Sequence, residues 1–361
     1  MNQLKHAPRL IAAALAFLII FSSFQATVRA QAEVSPIVVL YDASHSEQFS
    51  ADSEDLGLKS ILDMVNASTR YIVHVNEEES LTDDLLNDVD VLIIASPDDS
   101  SPFSSEELSG INEMLVNGSS LFILGDPALS EESTYWTENL LQDTGDNIAL
   151  NKLLDGINMT GPRFSINATT SDDYSDIMFD YDHSLNSSYP WVFHLDSSTW
   201  DTSHPIFRNI NNLYIMTASL KPVSLSSGIG KSYETSFAQY RMDSNSWANW
   251  SMPNITKYEL NPLSYSAVNG SFPSWLSAFE YGDSRVVISG STIMFTGRTI
   301  DIPDSELTWF NLGDNSRLFM NIISWLSENF ITAPSAIVPM LIISSVFLVI
   351  GVAFYLLKKL R

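Results

Sequence analysis

Short, mostly apolar runs alternate along this chain with longer stretches in which apolar residues recur every third or fourth position. Residues 37–41 (IVVLY), 71–75, 91–95 (VLIIA), 121–125 (LFILG) and 285–289 (RVVIS) each predict a strand. Predominantly apolar character over about five residues is what a strand covered on both faces requires. Helical spacing falls between them. Leu56, Ile61, Leu62 and Val65 predict one helix. Ser104 predicts the cap of a second, with Glu106 and Glu107 in its first turn, Leu108, Ile111 and Leu115 on its inner face and Gly118 beyond its end, as capping and the helix dipole favour. Leu318, Ile322, Ile323, Trp325 and Leu326 predict a third. Strand, helix, strand with short connections implies the α/β class, with a mostly parallel central sheet and helices on both faces. Residues 165–270 break the pattern, being rich in Ser, Asn, Asp, Trp and Tyr, and read as an irregular β-rich insertion. No repeat of solenoid length interrupts this order.

The two ends differ from the body. Lys5 and Arg9 precede an apolar run over residues 10–24, and Val28-Arg29-Ala30 places small residues at the recognition positions for cleavage, so residues 1–30 predict a signal peptide. Residues 336–357 carry no charge and are followed by Lys358, Lys359 and Arg361, which predicts a transmembrane helix with a cytoplasmic tail at 358–361. The expectation is a single-pass type I membrane protein whose residues 31–335 form one extracytoplasmic domain, at a cell surface or in an endoplasmic lumen. Eight Asn-x-Ser/Thr sequons, at Asn66, Asn117, Asn158, Asn167, Asn186, Asn249, Asn254 and Asn269, are candidate glycosylation sites on such a domain.

Composition then removes classes of chemistry. Forty-three acidic residues face eighteen basic ones, a net charge of −25, and six of the basic residues sit in the terminal segments. That field repels phosphate backbones and argues against a nucleic-acid partner. Cysteine is absent, which excludes thiol nucleophiles, thiolate metal sites and disulfides.

In an open parallel sheet, ligands are met where strands end at their carboxyl side. The segments that follow the expected strands bring Asp42, Ser44 and His45, then Ser96, Pro97 and Asp98, then Asp126 to one rim, the candidate ligand or partner site. Ser44, His45 and Asp126 supply the residue types of a hydrolytic triad, yet no Gly-x-Ser-x-Gly elbow accompanies them; Asp42 and His45 are read as tying the loop to the sheet edge. Gly228-Ile229-Gly230-Lys231-Ser232 has the tail of a phosphate-binding loop, but Leu225 stands where its first Gly belongs. The acidic run Asp172, Asp173, Asp176, Asp180, Asp182 lacks the glycine-turned spacing of a calcium loop, and the six His are scattered, so neither metal nor cofactor is expected. Trp191, Trp200, Trp247, Trp250 and Trp275 are read as packing residues before a carbohydrate platform.

The ordered set VVLYDASHSEQF, LTDDLLNDVDVLIIASPDDSSPFSSEELSGINEMLVNGSSLFILGD, His204-Pro205-Ile206, SRVVISGS and DNSRLFMNIISWL resembles the glutamine-amidotransferase-like domain over roughly residues 35–330. That domain occurs in membrane-anchored, gliding-motility and intraflagellar transport proteins and in the non-catalytic oligosaccharyltransferase subunit. The resemblance implies a flavodoxin-like sheet. True amidotransferases carry a Cys on the elbow where this chain has Gly125-Asp126, so it also implies that the ancestral catalysis is lost. Three functional expectations follow: a membrane-anchored, non-catalytic module binding a partner protein or glycan; an accessory subunit of an oligosaccharyltransferase-like glycosylation complex; and a hydrolase using His45 and the rim carboxylates.

Overall fold

The computed structural model describes residues 35–330, apart from 46–47, 130–132, 139–140, 142–143, 167–174, 222–227, 241–264 and 267–273. Residues 36–328 form one compact unit. Its strands are β1 (Ile37–Asp42), β2 (Tyr71–Asn76), β3 (Val91–Ala95), β4 (Ser120–Leu124), β5 (Arg163–Phe164), β6 (Asp176–Phe179), β7 (Phe193–Asp196), β8 (Asn212–Ile215), β9 (Leu220–Lys221), β10 (Gly228–Lys231), β11 (Phe237–Tyr240), β12 (Tyr265–Ser266), β13 (Ser274–Tyr281) and β14 (Ser284–Ser289). Its α-helices are α1 (Lys59–Asn66), α2 (Asp83–Leu86), α3 (Ser105–Val116), α4 (Thr134–Thr137), α5 (Ile148–Gly156) and α6 (Asn315–Leu326).

Among the described residues the main sheet has nine strands in the order β2-β1-β3-β4-β14-β13-β9-β5, with β10 also paired to β13. From β2 to β14 every pairing is parallel, and from β14 to β5 every pairing is antiparallel. The sheet is therefore mixed, which corrects the mostly parallel sheet expected from the sequence. The physical reason is the hairpin between β13 and β14. Tyr281 pairs with Ser284, so the loop is Gly282-Asp283 alone, and Gly282 takes φ +64. A two-residue loop with positive φ at its first position reverses the chain in step with the twist of its strands. Once β14 enters the parallel half beside β4, its hairpin partner must run antiparallel. β6, β11 and β12 form a separate three-stranded sheet, and β7 and β8 a two-stranded one.

Alternation of side chains divides the core between the two faces of the main sheet. Leu40, Leu92, Ile94, Leu121, Ile123, Val286 and Ile288 pack against Ile111, Met114 and Leu115 of α3 and Leu150, Leu153 and Leu154 of α5. On the other face Phe122 meets Phe319 of α6 (ring centres 5.4 Å apart) and Phe295 (6.4 Å). The helix at α3 starts as its sequence requires: Ser104 Oγ accepts from the Glu107 amide and Glu107 accepts from the Ser104 amide, a complete capping box. Leu56, expected on the inner face of the first helix, instead lies before α1 and is 46% exposed. There the chain approaches itself too closely to continue a helix, since a Cβ on Gly57 would meet the Ser50 carbonyl oxygen at 1.9 Å.

Residues 1–30 and 336–357, expected as signal peptide and membrane span, lie outside the described residues. Among the described residues no helix is long and apolar enough to cross a membrane. The longest, α3 and α6, have twelve residues, about 18 Å at 1.5 Å per residue against a hydrocarbon core of about 30 Å. The expected C-terminal transmembrane helix, single-pass membrane partner and type I extracytoplasmic location find no supporting helix among the described residues and are withdrawn, as is the glycoprotein expectation that rested on export. Of the sequons, Asn167, Asn249, Asn254 and Asn269 lie outside the described residues. Asn66 Oδ1 accepts from the Val73 amide at 3.1 Å, and Asn158 holds a left-handed φ of +54.

Candidate functional site at the strand-end rim

The carboxyl ends of β1, β3 and β4 do bring the expected residues to one rim, but as two separate clusters. In the first, Asp42 closes β1 opposite Asn76 of β2. Its carboxylate accepts from Ser44 Oγ (2.6 Å), Asn76 Nδ2 (3.1 Å) and His45 Nδ1 (2.8 Å). The far side of the imidazole faces a second carboxylate, with His45 Nε2 at 3.4 Å from Glu107 Oε1. Phe103 stacks on the ring at 4.2 Å, and the His45 carbonyl accepts from the Asp98 amide at 2.8 Å. His45 thus pins the loop after β1 to the N-terminus of α3 and to the loop after β3.

The electrostatics of this cluster follow from its burial. For His45, burial acts to lower the pKa, but the hydrogen bond and charge of Asp42 and then those of Glu107 outweigh it, and the net pKa is raised. For Glu107, burial acts upward, but the amide and hydroxyl of Ser104, the Leu81 amide and the His45 charge together bring it below the usual carboxylate value.

The second cluster surrounds Asp126, which is fully buried. Ser96 Oγ donates to its Oδ2, the amides of Thr292 and Ile293 both donate to Oδ1 at 3.1 Å, and its own amide donates to Asn147 Oδ1 at 3.1 Å. Burial is the largest influence and raises its pKa to about 7, with the Ser96 hydroxyl and the two amides pulling the other way. Ser96 sits at φ +41, a conformation that L-residues other than Asn and Asp adopt rarely and that collects at functional sites. Behind Asp126 lies Arg298, 5% exposed. Its Nη2 donates to the Gln48 carbonyl at 3.4 Å, its Nε and Nη1 have no hydrogen-bond partner, and burial lowers its pKa against the charges of Tyr135 and Asp126.

These distances describe what the rim can do. His45 Nδ1 faces both Ser44 Oγ (3.0 Å) and Asp42, and Ser44 Oγ is itself bound to Asp42. The imidazole face nearest the hydroxyl is therefore the one that Asp42 claims as a donor, and it is not placed to accept the Ser44 proton. Asp126 belongs to Ser96 and Thr292, and no described hydrogen bond joins it to Ser44 or His45. The triad residues are thus divided between two clusters. Gly125 and Asp126 lack the positive φ of a nucleophile elbow. Beside Ser96, Pro97 and Asp98 the described rim holds a hollow of about 10 Å³, lined also by Gln48, Thr144, Gly145, Asp146 and Asn147, enough for roughly one water. Among the described residues no group of three or more His, Asp or Glu is placed to hold a metal ion.

Sequence reasoning missed Glu107 as the second partner of His45, and it missed Asn76, Thr292 and Arg298. Glu107 had a signal, because its place three residues after Ser104 marked it as a buried cap residue. Thr292 and Arg298 had none, lying more than 160 residues from Asp126 in the chain.

No protein-family model matches the chain, and no curated protein matches it. Solved structures are similar to it. The mmIFT52 N-terminal domain matches at 15% identity over 80% of this chain and 100% of that domain, with a TM-score of 0.42. The Cytoplasmic Protein STM3548 from Salmonella typhimurium matches at 12% identity over 80% and 98%, with a TM-score of 0.39. A ThuA-like protein from Bacteroides uniformis matches at 10% identity over 81% and 91%, with a TM-score of 0.37. The first and third have amidotransferase-like folds. At these identities and scores the likenesses carry no argument about what the rim does.

Proposed function

We propose that this chain is a non-enzymatic binding module, its strand-end rim serving as a rigid brace and not as a reaction centre. One observation carries the reading: each rim group able to start chemistry already has its proton or lone pair engaged by a neighbour. His45 is held between Asp42 and Glu107, Ser44 donates to Asp42, and Ser96 donates to Asp126. Ser96 does face a carboxylate able to take its proton, but a nucleophile also needs donors aimed at the developing oxyanion. The amides nearest Ser96 are spent, its own on the Leu124 carbonyl and that of Asp98 on the His45 carbonyl. The hollow beside Ser96 has room for about one water. The absence of cysteine from the chain points the same way.

The test is a screen of the purified protein against chromogenic esters, amides, peptides and glycosides, with a fluorophosphonate label as a second readout. The expected result is no turnover above the buffer blank and no labelling. Turnover that disappears in His45→Ala or Ser96→Ala, with the fold intact by circular dichroism, would refute the proposal.

A further inference from the structure

Among the described residues, a roomier concavity shares no lining residue with the hollow at the rim. It lies where the loop after β7 meets β10 and the loop that follows it, a cleft of about 620 Å³ lined by Thr199, Trp200, Asp201, Lys231, Tyr233 and Glu234 among others. This volume falls within the range of small-ligand sites, about 300–1,000 Å³. Its floor is fixed by backbone pairing: the Asp201 amide donates to the Ile229 carbonyl (2.9 Å), the Lys231 amide donates to the Thr199 carbonyl (2.8 Å), and Trp200 bridges Gly230.

Two aromatic rings line the cleft, and each is backed by a second ring. Trp200 stacks on Phe207, with centres 5.2 Å apart and planes 8° from parallel. Tyr233 stacks on His183 at 3.5 Å and 12°, and its hydroxyl accepts from the Asp196 amide at 3.1 Å. His183 is held in turn by Asp180, fully buried, at 3.0 Å. One face of the half-buried Tyr233 is covered by the His183 imidazole, the His194 ring lies 6.2 Å away, and Trp200 is 7% exposed, so Tyr233 is the more open of the two rings. Rings already immobilised in this way lose little freedom on binding.

The charged groups select among ligand classes. Asp201, Lys231 and Glu234 are all exposed along the walls. Both bonds to Asp201, from the amide (2.9 Å) and hydroxyl (2.6 Å) of Ser203, fall on Oδ1, which leaves Oδ2 to accept from a ligand. Two carboxylates against one ammonium, in a chain of net charge −25, repel anions, and a cation would leave the Lys231 ammonium without an acceptor. What remains is a neutral molecule with hydroxyl donors for the two carboxylates, acceptors for the ammonium, and an apolar face for an aromatic ring.

We propose that this cleft binds a neutral saccharide, the apolar face of a sugar ring lying on Tyr233 beside Trp200, with its hydroxyls met by Asp201, Glu234 and Lys231. The assignment rests on the non-enzymatic reading above and gives it a ligand class.

The experiment is a printed array of neutral glucose-, mannose- and N-acetylglucosamine-based oligosaccharides, with sialylated and sulfated glycans as controls, followed by titration calorimetry with the best neutral hit. Wild type is expected to bind neutral glycans alone. Tyr233→Ala is expected to weaken the best hit about tenfold or more, and Asp201→Asn with Glu234→Gln about threefold each. The two surface carboxylate variants keep the test decisive if Tyr233→Ala fails to fold. The proposal is overturned if wild type captures no neutral glycan at up to about 1 mM, if charged glycans bind as well as neutral ones, or if affinity is unchanged in the variants that fold. Loss of glycan binding with no turnover in the substrate screen defeats the cleft assignment alone, whereas hydrolysis of a bound glycan defeats the non-enzymatic reading.

Discussion

Asp126 makes stability depend on pH with a sign that can be worked out in advance. Its pKa is about 7 in the folded state against 3.8 in an unperturbed chain, with burial as the main cause. The folded state then holds a proton that the unfolded state has released, so stability falls as pH rises from about 4 to about 7 and is fully retained only below that window. At 1.36 kcal/mol per unit, the shift corresponds to roughly 4 kcal/mol, spread at a slope of up to about 1.4 kcal/mol per pH unit. Asp126→Asn keeps the shape and an oxygen to accept from Thr292 and Ile293, but cannot ionise. Urea unfolding of both proteins between about pH 4.5 and 8 isolates this one group, because every other titration cancels in the difference. The variant is expected to match or slightly trail wild type at the acid end and to exceed it by a few kcal/mol at pH 8. If the two curves run parallel, or if the variant loses ground as pH rises, the buried carboxyl does not titrate as described and the reasoning fails.

Other consequences are as concrete. His45 has a raised folded pKa, so its contribution is full below pH 6.5 and is lost as pH climbs through the folded value; the stability gap between wild type and His45→Gln is expected to reach about 2–4 kcal/mol near pH 5.5 and to narrow by pH 9, as urea titrations at both pH values would show. Glu107→Gln removes a charge 3.4 Å from His45 Nε2, so the His45 pKa followed by NMR of its ring protons should move down; no movement would deny the contact any electrostatic part. Ser104→Ala opens the capping box of α3 and is expected to lower unfolding free energy by about 1 kcal/mol. Gly125→Ala drives a Cβ to 2.4 Å from Phe164 Cε1 and 2.5 Å from Asn147 Oδ1 and should destabilise by about 1–3 kcal/mol, read as a lower Tm.

Legibility in the sequence followed the range of the forces involved. β1, β3 and β4 are apolar on both faces, and α3 announces its own start at Ser104, so short windows were sufficient for each. β13 escaped notice because SWLSAFEY mixes Ser and Glu with its apolar residues. Its signal was the Gly-Asp pair between that segment and SRVVIS, a two-residue hairpin loop, and reading it would have turned a parallel sheet into a mixed one. At the rim, the pairing of Asp42 with His45 is local and could be suggested from three residues. The cage around Asp126 joins Ser96, Asn147, Thr292 and Ile293, residues brought together only by the completed sheet, and no window of sequence contains them.

β14 reaches its place beside β4 from about 160 residues further along the chain. Synthesis delivers β1 to β4 early, but the flank of β4 carrying Leu121 and Ile123 stays bare until Ser284–Ser289 emerges, and everything made in between must remain out of that slot. Closure of so distant a pairing is slow. A growing chain halted before Ser284 would therefore display an open strand edge to any nearby β-forming segment, making the interval between those two strands the period in which this protein is most exposed to mispairing.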